Sequence, residues 1–238
     1  MIELVVFDMA GTTVDEDNVV YKTVREAINS RGYEFTLEQV LDAGAGKEKS
    51  QAIRDVLALD ENSHSNEEVA AIFSDFQSRL AAAYETLDVK EQQGASEVFS
   101  ALRARGIKVV LNTGYDRSTA EKLINKIGWS IGTNIDGIVT ASDVSNGRPG
   151  PEMIQLAMKQ TEVANAEAVV KIGDSRIDIE EGKNAGCGLT YGITTGAQTE
   201  AMLRAAAPTD VVQSLSDFLW DGQPAAAARH VVHSFASS

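Results

Sequence analysis

The sequence contains little cysteine and little histidine, and each shortage excludes a kind of linkage or site. Cys187 is the single cysteine among 238 residues, so no disulfide can form within the chain, and a reducing compartment is favoured. The three histidines are His64, His230 and His233, and their spacing does not fit a metal site. We expect all three to lie at the surface or in the tail.

The sequence also has fewer basic than acidic side chains. The chain has 21 lysines and arginines against 35 acidic residues, which gives a formal net charge of −14. Such a charge repels phosphate backbones and anionic lipids, so we expect no nucleic-acid partner and no membrane partner. The N-terminal apolar run, 2–7, is far too short for a signal peptide or a membrane span. These absences predict a cytoplasmic protein, although a local group of cations could still bind a phosphorylated small molecule.

Short apolar runs alternate with helical spacing through much of the chain. Strands are predicted at 2–7, 107–111, 168–172 and 189–193, and helices at 95–105, 151–160 and 178–185. This alternation predicts an α/β fold in which a parallel sheet carries helices on both faces. Ligands of such sheets bind beyond the carboxyl ends of the strands, so the polar residues that follow the strands form the candidate site.

One long segment does not follow this alternation. Between residues 17 and 87 the spacing is helical throughout and predicts no strand, with breaks at Gly44–Gly46 and in the polar stretch 60–66. We therefore predict a catalytic core of 1–16 and 88–238 and an inserted helical cap of 17–87. The tail, 221–238, is rich in alanine and serine, and we expect it to be weakly ordered or docked at the periphery.

Two strand ends carry residues that could act on a phosphoryl group. Asp8 ends the first strand and could be a nucleophile, a metal ligand or the cap of a turn. Thr113 and Gly114 follow the strand at 107–111, where a hydroxyl and a backbone N–H could bind a phosphate oxygen or cap a helix.

Two further motifs supply a cation and a pair of carboxylates. Arg148 lies between Gly147 and Pro149, outside the following helix, where it could meet an anion or remain an exposed loop residue. Asp174 and Asp178 follow the strand at 168–172, and hard oxygen ligands of this kind suit Mg²⁺, although Asp174 could simply cap a helix and Asp178 could be a solvated helix residue. Taken together, the four motifs predict a phosphoryl-transfer site.

The same four motifs resemble those of the haloacid dehalogenase superfamily. They are Asp8-x-Ala10-Gly11-Thr12, Thr113-Gly114, Arg148-Pro149 and Gly173-Asp174-xxx-Asp178, within a resemblance that runs from residue 1 to about 220. The resemblance implies a Rossmann-like core with a helical cap inserted after the first strand. The sequence is most similar to the phosphonoacetaldehyde hydrolase (phosphonatase) branch. Ala10 replaces the usual second aspartate, Arg148 replaces the usual lysine, and Thr113-Gly114-Tyr115 also matches that branch.

The resemblance implies a role for each matched residue. Asp8 would attack phosphorus to give an aspartyl phosphate, Thr113 and Arg148 would hold the phosphoryl group, and Lys47 in the Gly44-Ala45-Gly46-Lys47 segment would form a Schiff base. Mg²⁺ would be held by Asp8, the Ala10 carbonyl, Asp174 and Asp178. Gly11, Thr12, Gly114 and Tyr115 would contact the substrate. Lys49 is the alternative amine, and Ser50 stands where the branch usually has histidine.

Three functions follow from these expectations. The leading one is Mg²⁺-dependent cleavage of the C–P bond of phosphonoacetaldehyde or a close relative. The alternative is a phosphatase acting on a small phosphorylated metabolite, such as a phosphoglycolate-like compound or a sugar phosphate. The third is a binder of phosphorylated ligands without catalysis. The partner is in each case a small phosphorylated or phosphonate metabolite, and the resemblance also allows a homodimer.

Overall fold

A six-stranded parallel sheet forms the centre of the computed structural model, which describes residues 1–60, 64–220 and 223–224. Its strands are β1 (Leu4–Asp8), β4 (Lys108–Thr113), β5 (Gly137–Thr140), β6 (Val169–Gly173), β7 (Leu189–Ile193) and β8 (Asp210–Val212). Four short strands lie outside it: β2 (Val14–Asp15), β3 (Lys90–Glu91), β9 (Leu219–Trp220) and β10 (Gln223–Pro224).

Ten α-helices complete the described fold. Those between β2 and β3 are α1 (Val19–Asn29), α2 (Leu37–Gly44), α3 (Lys49–Leu57) and α4 (Asn66–Thr86). Those that follow β3 are α5 (Ala95–Arg103), α6 (Arg117–Ile127), α7 (Glu152–Thr161), α8 (Arg176–Asn184), α9 (Glu200–Ala205) and α10 (Leu215–Phe218).

The order of the strands brings three motifs to one edge of the sheet. The order is β5-β4-β1-β6-β7-β8, and all neighbouring pairs are parallel. Asp8 pairs with Asn112 on one side, and Phe7 pairs with Ile172 on the other. The chain passes from β1 first to one side of the sheet and later to the other, so the crevice beyond the carboxyl end of β1 is the topological switch point. The predicted α/β fold is confirmed.

Both faces of β1 are buried, which explains its continuous apolar run. Val5 and Phe7 face one hydrophobic cluster, where the Phe7 ring meets the edge of Phe99 at 5.2 Å between ring centres. Leu4 and Val6 face the opposite cluster, which includes residues of α7. A strand covered on both faces has no solvent side, so no polar residue interrupts it before Asp8.

Helices α1 to α4 pack against one another as a separate group, with contacts between α1 and α4, α2 and α3, and α3 and α4. The group is joined to the sheet through β2 and β3, which pair antiparallel with Val14 opposite Glu91. Local caps define the helix starts, since the Thr36 and Ser65 side chains accept hydrogen bonds from the first turns of α2 and α4. The group occupies the segment predicted as a cap, while the domain boundaries 17 and 87 remain a prediction.

The sequence pattern missed some elements and misplaced one histidine. It did not reveal α6, β5 or β8, and the last two are short strands of four and three residues. His64 is not a surface residue, because its side chain is 9% exposed and contacts Tyr33 and Glu68. Residues 221–222 and 225–238, with His230, His233 and most of the predicted tail, lie outside the described residues. Within the described ranges, no helix is both long and apolar enough to cross a bilayer.

Candidate active site

The carboxyl ends of β1, β4 and β6 surround a small buried cavity. Its volume is about 20 Å³. The sheet and its loops line it with Asp8, Ala10, Thr113, Gly114, Tyr115, Arg148 and Asp174, and the helical segment adds Val20, Tyr21, Gly46 and Lys49. Since a cavity of roughly 10–15 Å³ holds one water, the site has no room for a larger molecule in this conformation.

Three aspartates at this edge could hold a metal ion. Carboxylate oxygens of Asp8, Asp174 and Asp178 all lie within 4.8 Å of one another, and all three residues are buried. When ionised, these aspartates and the buried Glu181 outnumber the nearby Arg148 and Lys171 by two negative charges. An all-oxygen donor set with this excess fits a hard divalent cation such as Mg²⁺.

Arg148 is the centre of the ion pairs around Asp8. Its Nη1 lies 2.7 Å from Asp8 Oδ1 and 3.1 Å from Asp178 Oδ1, and its Nε lies 3.2 Å from Glu181 Oε2. The Arg148 side chain is 4% exposed, so Arg148 is not the exposed loop residue that the sequence also allowed. It lines the cavity while its charge is shared among three carboxylates, which fixes the Asp8 carboxylate in one orientation.

A second buried cation lies below Arg148. Lys171 Nζ is 2.9 Å from Asp178 Oδ1 and 3.4 Å from Glu181 Oε2, and it donates a hydrogen bond of 2.7 Å to Asn112 Oδ1. The Asn112 amide donates to Glu181 Oε1 at 2.8 Å. Each residue of this buried group, which consists of Asn112, Arg148, Lys171, Asp178 and Glu181, therefore has a charged or hydrogen-bonded partner. Such pairing is the condition for burying so many charges.

The surroundings shift the pKa values of the three aspartates in different directions. Burial raises the pKa of Asp8, and the Arg148 charge offsets part of the shift. Burial and the neighbouring Asp8 charge hold the pKa of Asp174 well above its ordinary value. Burial also opposes ionisation of Asp178, but Arg148 and Lys171 together bring the pKa of that carboxyl below its usual range. Asp178 is thus stabilised as an anion, whereas ionisation of Asp8 and Asp174, which face the cavity, lacks a full counter-charge that a bound cation would supply.

The other predicted residues lie around these aspartates. Gly11 has a φ of 75°, and a side chain there would collide with the Asp174 carboxylate. The Thr12 hydroxyl is buried without a hydrogen-bond partner among the described residues. The Thr113 hydroxyl accepts a hydrogen bond of 3.2 Å from the Tyr115 backbone N–H, which shapes the turn around Gly114. Gly11, Thr12 and Asp178 adjoin the cavity residues in sequence or contact without lining the cavity themselves.

The two candidate amines point in different directions. Lys47 pairs with Asp55 on the same helical segment and is not among the described residues that line the cavity. Lys49 lines the cavity, with its Nζ 5.1 Å from the centre of the Tyr21 ring and 2.7 Å from the Lys47 carbonyl oxygen. Burial of its amine and the charge of Arg148 lower the pKa of Lys49.

The loop before α3 explains this outcome. Gly46 has a φ of 76° and approaches the sheet so closely that a side chain there would collide with Ser175. The loop thus reaches the core site. The helix begins at Lys49, however, and its first turn directs Lys49 to the cavity while Lys47 remains outside. The expected amine, Lys47, is therefore replaced at the cavity by the alternative, Lys49.

Comparisons with known proteins show which family the chain belongs to. A sequence model of the haloacid dehalogenase-like hydrolases matches residues 5–191. The chain belongs to this family. The phosphonoacetaldehyde hydrolase of Bacillus mycoides (strain KBAB4) is 32% identical over 209 residues, which cover 82% of this chain and 77% of that protein. The resemblance drawn from the four motifs is confirmed, and the protein is a hydrolase.

Two solved structures share the fold over most of the chain. A phosphonoacetaldehyde hydrolase-like protein from Oleispira antarctica superposes with a TM-score of 0.77 at 26% identity, covering 91% of this chain and 90% of that one. CbbY from Rhodobacter sphaeroides, solved with xylulose-(1,5)-bisphosphate, gives a TM-score of 0.72 at 18% identity and covers 92% and 96%. The second likeness concerns the fold alone.

Several buried polar residues of this haloacid dehalogenase-like hydrolase were not predicted. Lys171 interrupts the apolar run of β6, and a lysine within a buried strand is a signal that could have revealed it. Glu181 lies one helical turn after Asp178, on the same face of α8. Glu16 and Tyr84 have no comparable pattern in the sequence, and only the fold brings them together.

Proposed function

We propose that this enzyme is a Mg²⁺-dependent hydrolase that cleaves the C–P bond of phosphonoacetaldehyde or a close relative, with Asp8 as nucleophile and Lys49 as the imine-forming amine. The observation that carries the proposal is the position of Lys49, which lines the same small cavity as Asp8. Ala10 lines this cavity too, at the position where phosphatases of the superfamily have a second aspartate. The similarity to proteins named phosphonoacetaldehyde hydrolase supports it.

The transfer of the phosphoryl group, which follows imine formation, belongs to Asp8. One carboxylate oxygen is fixed 2.7 Å from Arg148 Nη1, so the other is free to attack phosphorus in line. Arg148 and the Thr113 hydroxyl would hold the phosphoryl oxygens. Mg²⁺, held by Asp8, the Ala10 carbonyl, Asp174 and Asp178, would supply positive charge that neutralises the phosphoryl group. The resulting aspartyl phosphate is then hydrolysed by water.

Lys49 provides for the leaving carbon. A neutral amine is needed to attack an aldehyde, and the lowered pKa of Lys49 raises the neutral fraction. Loss of water from the adduct gives a protonated imine. As the P–C bond breaks, its electron pair moves into the C–C bond and the imine becomes an enamine. Protonation of the enamine and hydrolysis of the imine then release acetaldehyde and restore the amine.

Ala10 is consistent with this route. Phosphatases of the superfamily use a second aspartate at this position to protonate a leaving alkoxide, as the resemblance implies. An enamine accepts the electron pair without that proton, so a methyl group beside Asp8 is sufficient. Substituting alanine also avoids a further carboxylate in a site that already has excess negative charge.

A phosphatase acting on a larger metabolite is the second candidate. A cleft of about 830 Å³ adjoins the small cavity and shares Lys49, Gly114 and Tyr115 with it. The cleft lies between α4 and α6, and its size exceeds what a two-carbon substrate requires. In that case Lys49 would contact the substrate as a cation.

Borohydride trapping distinguishes the two candidates. Wild-type enzyme incubated with phosphonoacetaldehyde and borohydride should retain a reduced adduct, which peptide mapping places on Lys49. Lys49→Arg should lose both the adduct and acetaldehyde release, because a guanidinium stays protonated. Lys47→Arg is the matched control and should keep both. Trapping on Lys47 would reassign the amine, and turnover of phosphate esters without any adduct would establish the phosphatase.

A further inference from the structure

Three polar side chains meet at the junction of the cap helices and the sheet. Glu16 is 3% exposed, and its Oε2 accepts hydrogen bonds of 2.7 Å from both the Tyr84 and the Tyr115 hydroxyls. The two hydroxyl oxygens are 3.1 Å apart. The two tyrosines contact edge to face with ring centres 6.4 Å apart. We call these three residues the Glu16 cluster.

Each member comes from a different part of the chain. Glu16 follows β2, in the first connection to the cap helices, and is followed by Asp17 and Asn18, which both have positive φ. Tyr84 lies in the last turn of α4, directly before the second connection. Tyr115 follows β4. The cluster therefore joins both connections of the cap to a loop of the core.

We propose that Glu16 is a positioning residue of the active site, which holds Tyr115 in the cavity wall and fixes the cap helices over it through Tyr84. Tyr115 lines the cavity, and its backbone N–H donates to the Thr113 hydroxyl, so its position bears directly on the phosphoryl site. Glu16 does not line the cavity. It acts through the two tyrosines.

A purely structural role does not account for the choice of residue. An apolar side chain would fill the same space without the cost of burying a carboxylate. The carboxylate instead gathers two hydroxyls onto one oxygen, which defines their direction as packing alone does not. Glu16 also attracts the amine of Lys49. The groups that face the Glu16 carboxylate therefore include Lys49 of α3, Tyr84 of α4, Tyr115 of the loop after β4 and the Val20 backbone N–H of α1.

The small volume of the cavity gives the cluster a role in each reaction cycle. At about 20 Å³ the cavity has no room for a substrate in this conformation, so substrate binding would require the cap helices to move. Both chain connections on which that movement depends end at the cluster. When the cap helices close, the hydrogen bonds of the Glu16 cluster would form again. They would return Tyr115, and the Gly46 loop that lies close to Ser175, to the same position each time. This inference does not depend on whether Lys49 forms an imine.

The test uses the full chain with Mg²⁺ and removes single hydroxyls. Tyr84→Phe keeps the ring and deletes the cap-side bond. Tyr33→Phe is the matched control, because the Tyr33 hydroxyl donates to Glu68 at the same 2.7 Å but entirely within the cap helices. Two quantities are measured well below the unfolding temperature: amide hydrogen exchange at residues 44–48, and kcat and KM for p-nitrophenyl phosphate.

We expect exchange at 44–48 to accelerate about tenfold in Tyr84→Phe and kcat/KM to fall about tenfold, the loss of one hydrogen bond to a charged group. Tyr33→Phe should change neither by more than about twofold. Adding Tyr84→Phe to Glu16→Leu should have little further effect, since both remove the same hydrogen bond. Equal exchange in Tyr84→Phe and Tyr33→Phe would overturn the proposal. That measurement needs no substrate, so it decides the matter even if the proposed reaction is wrong.

Discussion

Replacing Glu16 by glutamine should stabilise the protein more and more as the pH rises. Burial raises the pKa of the Glu16 carboxyl from 4.5 to about 7, while hydrogen bonds from Tyr84 and Tyr115 and the charge of Lys49 offset only part of the shift. Glutamine has the same shape and an oxygen that can accept the tyrosine hydroxyls, but it does not ionise. The substitution therefore removes the titration and leaves the packing.

The sign and size follow from proton linkage. Between pH 4.5 and about 7 the folded state binds more protons at Glu16 than the unfolded state, so stability falls as the pH rises through this window. Raising the pKa of Glu16 from 4.5 to about 7 corresponds, at about 1.36 kcal/mol per pH unit, to a loss of about 3 kcal/mol of unfolding free energy. The difference in unfolding free energy, Glu16→Gln minus wild type, should grow by about that amount from pH 4.5 to pH 8.

Urea denaturation of both proteins from pH 4.5 to pH 8 measures this difference. Asp8 and Asp174 also have raised pKa values, but they are present in both proteins and cancel. Glu68→Gln is the control of opposite sign. The Tyr33 hydroxyl lowers the pKa of Glu68, so that carboxylate stabilises the fold above its unfolded pKa, and its removal should become more harmful with rising pH. A Glu16→Gln difference that stays constant or shrinks with rising pH would refute the reasoning.

Three further outcomes test the catalytic site and its supporting charges. Asp8→Asn should abolish phosphate release while leaving the unfolding transition in place; residual turnover above a trace would exclude Asp8 as nucleophile. EDTA should remove activity and Mg²⁺ restore it, and Asp174→Ala should weaken Mg²⁺ binding in calorimetry; unchanged affinity would exclude Asp174 as a ligand. Lys171→Met should cost about 3–5 kcal/mol in urea denaturation by removing a cation paired with the buried Asp178 and Glu181, against less than about 0.5 kcal/mol for the exposed control Lys122→Met; equal losses would contradict the ion-pair network.

The strand-end motifs could be predicted because parallel strands share one carboxyl edge. Asp8, Thr113 and Asp174 each follow or end an apolar run, and the α/β alternation was sufficient to place them together. Pairing with neighbouring strands then leaves little freedom in their relative positions. The short strands β5 and β8 escaped prediction because four or three residues carry too little periodicity to stand out.

The sequence by itself determined the α/β alternation, the helical character of the segment between β2 and β3, and the presence of Asp8, Arg148 and Asp174 among the candidate site residues. Only the tertiary structure decided which lysine faces the cavity, because the choice between Lys47 and Lys49 depends on where α3 begins and how closely Gly46 approaches the sheet. It also decided the surroundings of Glu16, whose partners Tyr84 and Tyr115 are 68 and 99 residues away along the chain. Contacts at such separations leave no local pattern, since each residue's propensity is satisfied by many other arrangements, and packing alone selects one of them.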